Sequence, residues 1–171
     1  MTTVYVDKRA GLVLTDSRVT TTEERKFLGC IPLATKTTYG VVNQKAFYIH
    51  DRLFCAAGVV SEIDKVIQYL IYGKPVYPHR TSSCHCMLIG KEYVIHFIIF
   101  KGKLHKHVEF FKSNWCMAIG SGALHISGIR YRGDIIINDS EDEVRELIID
   151  AFRQVRIKDI YTDDNVNLYR I

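Results

Sequence analysis

The chain begins with two short apolar stretches separated by a polar turn. Val4 and Val6 precede the turn, which runs from Lys8 to Gly11, and the apolar run Leu12–Leu14 follows it. This pattern predicts a β-hairpin with the glycine at the end of its turn. Asp16 would end the second strand.

Further apolar runs of strand length recur along the chain. Residues 20–40 are polar and irregular in pattern, so we expect a long loop there. Ala46–Ile49 and Leu53–Ala57 predict two strands joined by a turn at 50–52. We expect the remaining strands at 83–89, 93–100, 104–111, 117–119 and 165–171.

Two segments carry the spacing of amphipathic helices. In 61–72, Ser61 and Asp64 have capping-box spacing, and Ser140 with Glu143 opens a second helix in the same way. A short helix is expected at 123–131. The apolar stripes consist of Ile63, Val66, Ile67, Leu70 and Ile71 in the first helix, and of Val144, Leu147, Ile148, Ala151, Phe152 and Val155 in the second. Strands interrupted by such helices predict two packed sheets with helices outside.

Composition narrows the class of protein. The 171 residues suit one domain covering 1–171, with 47% hydrophobic and 25% charged residues. No apolar segment is long enough to cross a bilayer, and the first residues lack the features of a secretion signal. Five cysteines without a disulfide spacing favour a reducing, cytoplasmic interior. The net charge of +4 is scattered, which argues against nucleic-acid binding.

Thr2 is the first candidate for chemistry. Removal of Met1, which is usual before a small residue, would place the threonine hydroxyl and a free α-amine on one residue. An α-amine has an unperturbed pKa of roughly 7.7 to 8.0, so it can act as a general base for its own hydroxyl. Because Met-Thr begins many proteins, this feature alone is weak.

Three other residues could complete such a site. A buried cation near the amine would lower its pKa and would need a carboxylate partner, and Lys45 and Asp16 both lie at strand ends in apolar settings. Gly58 ends a strand directly before a helix, where its N–H could stabilise an oxyanion. Lys36 is a rival for the lysine role. The sequence alone leaves open whether these groups converge.

Five segments, in order and spacing, resemble the proteasome β-subunits and HslV-type peptidases. They cover nearly the whole chain: Thr2–Val4, Gly11–Thr20, Lys45 thirteen residues before Gly58, Ala118–Gly122, and Asp159–Thr162 followed by Val166–Tyr169. The resemblance implies an α+β fold, the four-layer αββα sandwich of two antiparallel sheets found in Ntn hydrolases. One helical layer would be reduced, because only one helix is predicted between Gly58 and the next strand.

The resemblance implies a threonine endopeptidase. The Thr2 hydroxyl would attack the scissile carbonyl, Lys45 would tune the amine, Asp16 would orient Lys45, and the Gly58 N–H would form the oxyanion hole. Three further residues would support the amine and its water: Ser121, Asp159 and Thr162. The specificity pocket would be lined by Val19, Thr20, Phe47, Ala56 and Val60, and its apolar character suggests cleavage after hydrophobic residues.

The resemblance also implies partners. Subunits would assemble into stacked hexameric or heptameric rings that enclose the sites, and folded polypeptide substrates would need an ATP-dependent unfoldase. The chemistry requires no cofactor. Two alternatives remain: a catalytically silent ring subunit, and an N-terminal-nucleophile amidase acting on small amides.

Two histidine-containing segments are interpreted without metal. In Cys84-His85-Cys86 the cysteines would share one strand face while the histidine points to the other, and the spacing is too short for a usual zinc pair. His105 and His107 would lie on a solvated strand face.

Overall fold

The computed structural model describes residues 2–8, 11–27, 31–41, 45–112, 115–130, 141–159, 162 and 166–171. Of these, 18–27, 31–41, 127–130, 141, 144 and 145 are described by their backbone alone. The strands are β1 (Thr3–Asp7), β2 (Leu12–Asp16), β3 (Arg18–Phe27), β4 (Ile31–Val41), β5 (Ala46–Ile49), β6 (Arg52–Gly58), β7 (Cys84–Ile89), β8 (Tyr93–Phe100), β9 (Lys103–Phe110), β10 (Cys116–Gly120) and β11 (Val166–Arg170). The helices are α1 (Val60–Tyr72), α2 (Ala123–Arg130) and α3 (Glu141–Lys158).

The first sheet is built around the predicted β1–β2 hairpin. The Gly11 N–H donates to the Lys8 carbonyl over 3.2 Å, and the sheet order is β10-β1-β2-β11, antiparallel throughout. Val4 and Val6 pack on one face, whereas Leu14 packs on the other. Because side chains alternate along a strand, this sheet is buried on both faces.

The second sheet faces the first across an apolar core. Its order is β5-β6-β7-β8-β9, again antiparallel. Leu53, Cys55 and Met87 pack in the same cluster as Val4 and Val6 of the first sheet. The inner face of each sheet therefore contributes to one shared core.

The prediction of a long loop at 20–40 was wrong. β3 and β4 form a two-stranded antiparallel hairpin in which Arg18 pairs with Val41 and Phe27 with Ile31. The register shifts between Arg25 and Lys26. Backbone hydrogen bonds between the two segments stabilise extended chain even where the side chains are polar, which hydrophobic periodicity does not detect.

One helix, α1, covers the outer face of the second sheet. Val66 is buried against Phe54 and Phe97, as its stripe predicted, but Ile71 is exposed. The predicted capping box was wrong, because the helix begins after Val59 and no side chain caps it. The following segment, 73–83, has no helix, so this layer is reduced as expected.

Helices α2 and α3 cover the outer face of the first sheet. Ile126, Ile148 and Phe152 pack against Leu12 and Leu14. Leu147, predicted to point inward, is exposed, and the side chain at 144 lies outside the described residues. The order of layers, helix–sheet–sheet–helix, confirms the four-layer αββα sandwich. Within the described ranges, no helix combines the length and apolar character needed to span a bilayer.

The outer helical layer generates a stability prediction. Phe152 is fully buried, so Phe152→Ala should lower the free energy of unfolding by about 3–5 kcal/mol through lost burial and the cavity left behind. Ile157→Ala on the same helix should cost under about 1 kcal/mol because that side chain is 84% exposed. Urea denaturation of both variants measures the difference, and equal losses would contradict the assignment of the packed face.

Candidate active site

A buried ion pair joins the two sheets at one end of the sandwich. Lys45 directly precedes β5, and its Nζ lies 3.1 Å from Oδ1 of Asp16, the last residue of β2. The two side chains are 7% and 0% exposed. The same Asp16 Oδ1 accepts a hydrogen bond from the backbone N–H of Thr3 over 2.7 Å. A buried carboxylate is tolerated when charge and donors surround it in this way.

Thr3 is held by a chain of hydrogen bonds. The Gly122 N–H donates to Thr3 Oγ1 over 3.0 Å, and Thr3 Oγ1 lies 2.6 Å from Thr162 Oγ1. Thr162 Oγ1 in turn donates to Asp159 Oδ2 over 2.8 Å. Because Thr162 gives its proton to Asp159, Thr3 must donate to Thr162. The Thr3 hydroxyl proton is thus already donated within the protein. This leaves the Thr3 hydroxyl unsuited to act as a nucleophile.

Only a residue as small as glycine fits at position 122 beside these hydrogen bonds. A Cβ at this position would lie 2.6 Å from Thr3 Oγ1 and 2.9 Å from Thr162 Oγ1. Sequence reasoning identified the Gly-Ser-Gly segment but assigned a role only to Ser121. It also passed over Thr3, although the doubled threonine at 2 and 3 was a signal that both positions are used.

Thr2 directly precedes Thr3, the residue where these two networks meet. It is half-buried and directly precedes β1, and its peptide group continues into the Thr3 N–H that binds Asp16. Its carbonyl packs against Gly120, the residue that pairs with Thr3 in the β1–β10 ladder. The Lys45 ammonium is therefore linked through a shared carboxylate oxygen to the backbone of Thr3, the residue after Thr2.

Gly58 is confined to glycine by its surroundings. Its φ of 128° belongs to the region that favours glycine, and a Cβ there would lie 2.5 Å from Cys84 Cα. The residue ends β6 immediately before α1, as the sequence predicted.

A cavity of about 330 Å³ connects Gly58 with the first sheet. Its lining includes Ala57, Gly58, His85, Ile98, Gly120 and Ser121, so both sheets contribute to it. The Ser121 Oγ is buried and has no hydrogen-bond partner among the described residues. A buried hydroxyl without a partner is costly, so a group that completes it would be stabilised there.

His85 brings a neutral imidazole to this cavity. Burial is the main cause that lowers its pKa to about 4, and the neighbouring His96 and His107 lower it further. At neutral pH the His85 ring is therefore uncharged while it takes part in hydrogen bonds.

The predicted specificity residues are only partly brought together. Phe47 and Ala56 pack in the same cluster, on the face of the second sheet that α1 covers, and the Phe47 ring lies 5.2 Å from that of Phe54. Val60, the first residue of α1, is 68% exposed. Val19 and Thr20 lie in β3, where the side chains fall outside the described residues, as does that of the rival Lys36 in β4.

Comparison with solved structures identifies the fold. The chain is similar to the crystal structure of eukaryotic HslV from Trypanosoma brucei, with a TM-score of 0.55 and 14% identity over 98% of this chain and 97% of that chain. It is also similar to Thiobacillus denitrificans BPH in complex with epoxomicin, with a TM-score of 0.54 and 13% identity over 99% and 97%. No protein-family model and no curated protein matches the sequence. These similarities confirm the proteasome- and HslV-like sandwich that the resemblance implied.

The buried ion pair generates a stability prediction. Lys45→Met removes the ammonium from a fully buried carboxylate and should lower the free energy of unfolding by about 3–5 kcal/mol. The double variant Lys45→Met/Asp16→Asn should lose less than the sum of the two single losses, because it no longer buries an unbalanced charge.

The control is the exposed pair of Arg153 and Asp150, whose side chains are both more than half exposed. Arg153→Met should change the free energy of unfolding by under about 1 kcal/mol. Denaturant unfolding of the set measures the coupling, and strictly additive losses at 45 and 16 would argue against a cooperative buried pair.

Proposed function

We propose that this protein is a threonine-type peptidase that uses Thr2, freed by removal of Met1, as its nucleophile. One observation carries the proposal: Asp16 Oδ1 accepts from both Thr3 N and Lys45 Nζ. This shared oxygen supports a role for the buried ammonium next to Thr2, the residue before Thr3, which would carry the free amine. A cation in that position disfavours protonation of the amine. The amine is then available as a base for the hydroxyl on the same residue.

The reaction follows from this arrangement. Thr2 Oγ attacks the carbonyl carbon of the scissile amide while the Thr2 α-amine takes the hydroxyl proton. The Gly58 N–H, at the cavity that both sheets line, stabilises the oxyanion. The C–N bond then breaks, the amine returns the proton to the leaving group, and an ester on Thr2 remains. Water hydrolyses the ester and regenerates the hydroxyl.

The remaining candidate residues act as positioning residues in this scheme. Asp159 and Thr162 hold Thr3, and through it the start of β1, rather than contacting the reacting atoms. Ser121 has a buried hydroxyl in the cavity that lacks a partner among the described residues, so it suits a role in completing the hydrogen bonds of the free amine or its water. Asp16 orients Lys45.

Substrate selection would fall to the α1 side of the second sheet. Phe47 and Ala56 share that face, and Val60 lies at its edge, so an apolar pocket extended by Val19 and Thr20 would favour cleavage after hydrophobic residues. Similarity in fold to HslV supports assembly into stacked hexameric or heptameric rings that act on polypeptides. The proposal also includes an ATP-dependent unfoldase for folded substrates and a cytoplasmic location.

Covalent labelling tests the nucleophile. A peptide epoxyketone should form a one-to-one adduct on Thr2, located by mass spectrometry, because such a reagent can bond to both the hydroxyl and the amine of an N-terminal threonine. Thr2→Ala should abolish the adduct and lower peptide hydrolysis by at least about a thousandfold. The exposed Thr81→Ala should change neither.

An unlabelled protein that also fails to hydrolyse peptides would instead support a silent ring subunit. Labelling accompanied by turnover of small amides, but not of a fluorogenic peptide panel, would support the amidase. An adduct on any residue other than Thr2 would contradict the proposal.

The Lys45 ammonium also predicts a pH dependence. A protonated amine cannot accept the hydroxyl proton, so activity falls as the pH drops below the pKa of the amine. Lys45→Met removes the cation that opposes protonation, so the pKa of the amine should rise and the acid limb of kcat/KM should move to higher pH. The rate of epoxyketone inactivation against pH reports the same limb where turnover is slow. Lys74→Met, at an exposed lysine, should leave the acid limb of kcat/KM in place. If the acid limb of Lys45→Met also stays in place, Lys45 does not lower the pKa of the amine.

A further inference from the structure

A cluster of two histidines and a glutamate lies on the second sheet. His96 on β8 pairs directly with His107 on β9, and their rings stack with centroids 4.6 Å apart and planes 15° apart. Glu109 follows on the same strand face as His107. One ligand atom from each of the three side chains falls within 4.8 Å of the others.

The innermost member of the cluster has a nitrogen available for a ligand. His96 is 1% exposed, and its Nδ1 lies 3.0 Å from His85 Nε2. Its Nε2 lies 3.3 Å from Glu109 Oε2, yet it makes no hydrogen bond within the part of the chain that the structure describes. A buried imidazole nitrogen in this state costs free energy that a bound cation would recover.

Further contacts hold two of the three side chains, His96 and Glu109, from outside. His85 fixes one edge of the His96 ring, and the Trp115 indole N–H donates to Glu109 Oε1 over 2.7 Å. This leaves His96 Nε2 3.3 Å from Glu109 Oε2, with the His107 ring stacked on that of His96. Metal ligands in proteins are oriented by outer contacts of this kind.

We infer that His96, His107 and Glu109 form a binding site for a divalent transition-metal ion of the zinc class. Two imidazoles and one carboxylate suit such an ion, whereas calcium and magnesium prefer oxygen ligands alone. Three protein ligands leave a fourth position for water. His107 is exposed and provides the entry path.

Small side-chain movements complete the geometry. Ligands around a tetrahedral zinc ion lie about 3.4 Å apart, given Zn–N and Zn–O bonds of about 2.1 Å. His107 is exposed and Glu109 is 37% exposed, so both can rotate toward the buried His96, which stays fixed by His85. His105 and His107 are both exposed, as expected of a solvated strand face, and of the two only His107 belongs to the cluster.

The single tryptophan of the chain reports on the site. Because Trp115 donates to Glu109, coordination of Glu109 should change the Trp115 fluorescence. We would titrate chelator-treated protein with Zn²⁺ and with Co²⁺, carrying Thr2→Ala so that the candidate active site contributes no hydroxyl ligand. Expected are saturation at one ion per chain and, with Co²⁺, the visible absorption of a low-coordinate complex.

Matched variants decide whether the cluster is the site. His107→Ala and Glu109→Gln should each weaken Zn²⁺ binding by at least about tenfold. Loss of an outer contact to a metal ligand already costs about that much, so loss of a ligand itself should cost no less. His105→Ala, which removes an exposed histidine two positions away on the same face, should bind as the parent does. Circular dichroism should show all three folded, since the altered side chains are not buried.

No saturable binding at one ion per chain would overturn the proposal. Equal affinities of His107→Ala and His105→Ala would overturn it as well. Neither result bears on peptide hydrolysis by Thr2, so the two proposals fail separately.

Discussion

The pair of Lys45 and Asp16 is the interaction on which the candidate site depends. Asp16 ends a strand of the first sheet and Lys45 precedes a strand of the second, so their contact joins the two sheets at the edge where the chain begins. A charge buried this deeply is costly unless it is balanced. The balance is achieved by bringing together the Lys45 ammonium and the Thr3 N–H on one carboxylate oxygen. This contact holds the first residues of β1 near the Lys45 ammonium. The proposed base at Thr2 requires a cation in this position.

A second set of contacts fixes β1 from the opposite side. The Thr3 hydroxyl links the Gly122 N–H, next to the start of α2, with Thr162 and Asp159, which follow the end of α3. Hydrogen bonds in such a chain strengthen one another. Thr3 therefore anchors the start of β1, and Thr2 lies one residue earlier. In the proposed function the two threonines have different roles: the Thr3 hydroxyl holds the strand, and the Thr2 hydroxyl is the nucleophile.

Much of this arrangement could be predicted from sequence because it rests on local patterns. The β1–β2 hairpin, α1, and the packed face of α3 follow from apolar periodicity and turn residues. The β3–β4 hairpin escaped prediction because its strands carry threonine, lysine and glutamate and are held by pairing with each other. The N-terminus of α1 was misassigned because tertiary packing, rather than a side-chain cap, sets its start.

Residues of the candidate site could be predicted where a sequence motif contains them, but not where only the folded structure brings them together. Lys45, Asp16 and Gly58 became candidates through their positions at strand ends and through the family resemblance, while the importance of Thr3 required the contacts themselves. The metal cluster shows the limit more clearly. His96 and His107 are eleven residues apart, and only the β8–β9 register places them opposite each other, with Glu109 and Trp115 completing the surroundings. No spacing rule within a single segment would select these residues.

The central claim, that a free Thr2 amine lies beside the Lys45 ammonium and serves as the base, is most directly tested at the amino terminus. Mass spectrometry of purified protein that hydrolyses peptides should find a chain beginning at Thr2, without Met1. Active protein that retains Met1 in full would contradict the account, since the nitrogen of Thr2 would then be an amide and could not take up the proton of the attacking hydroxyl.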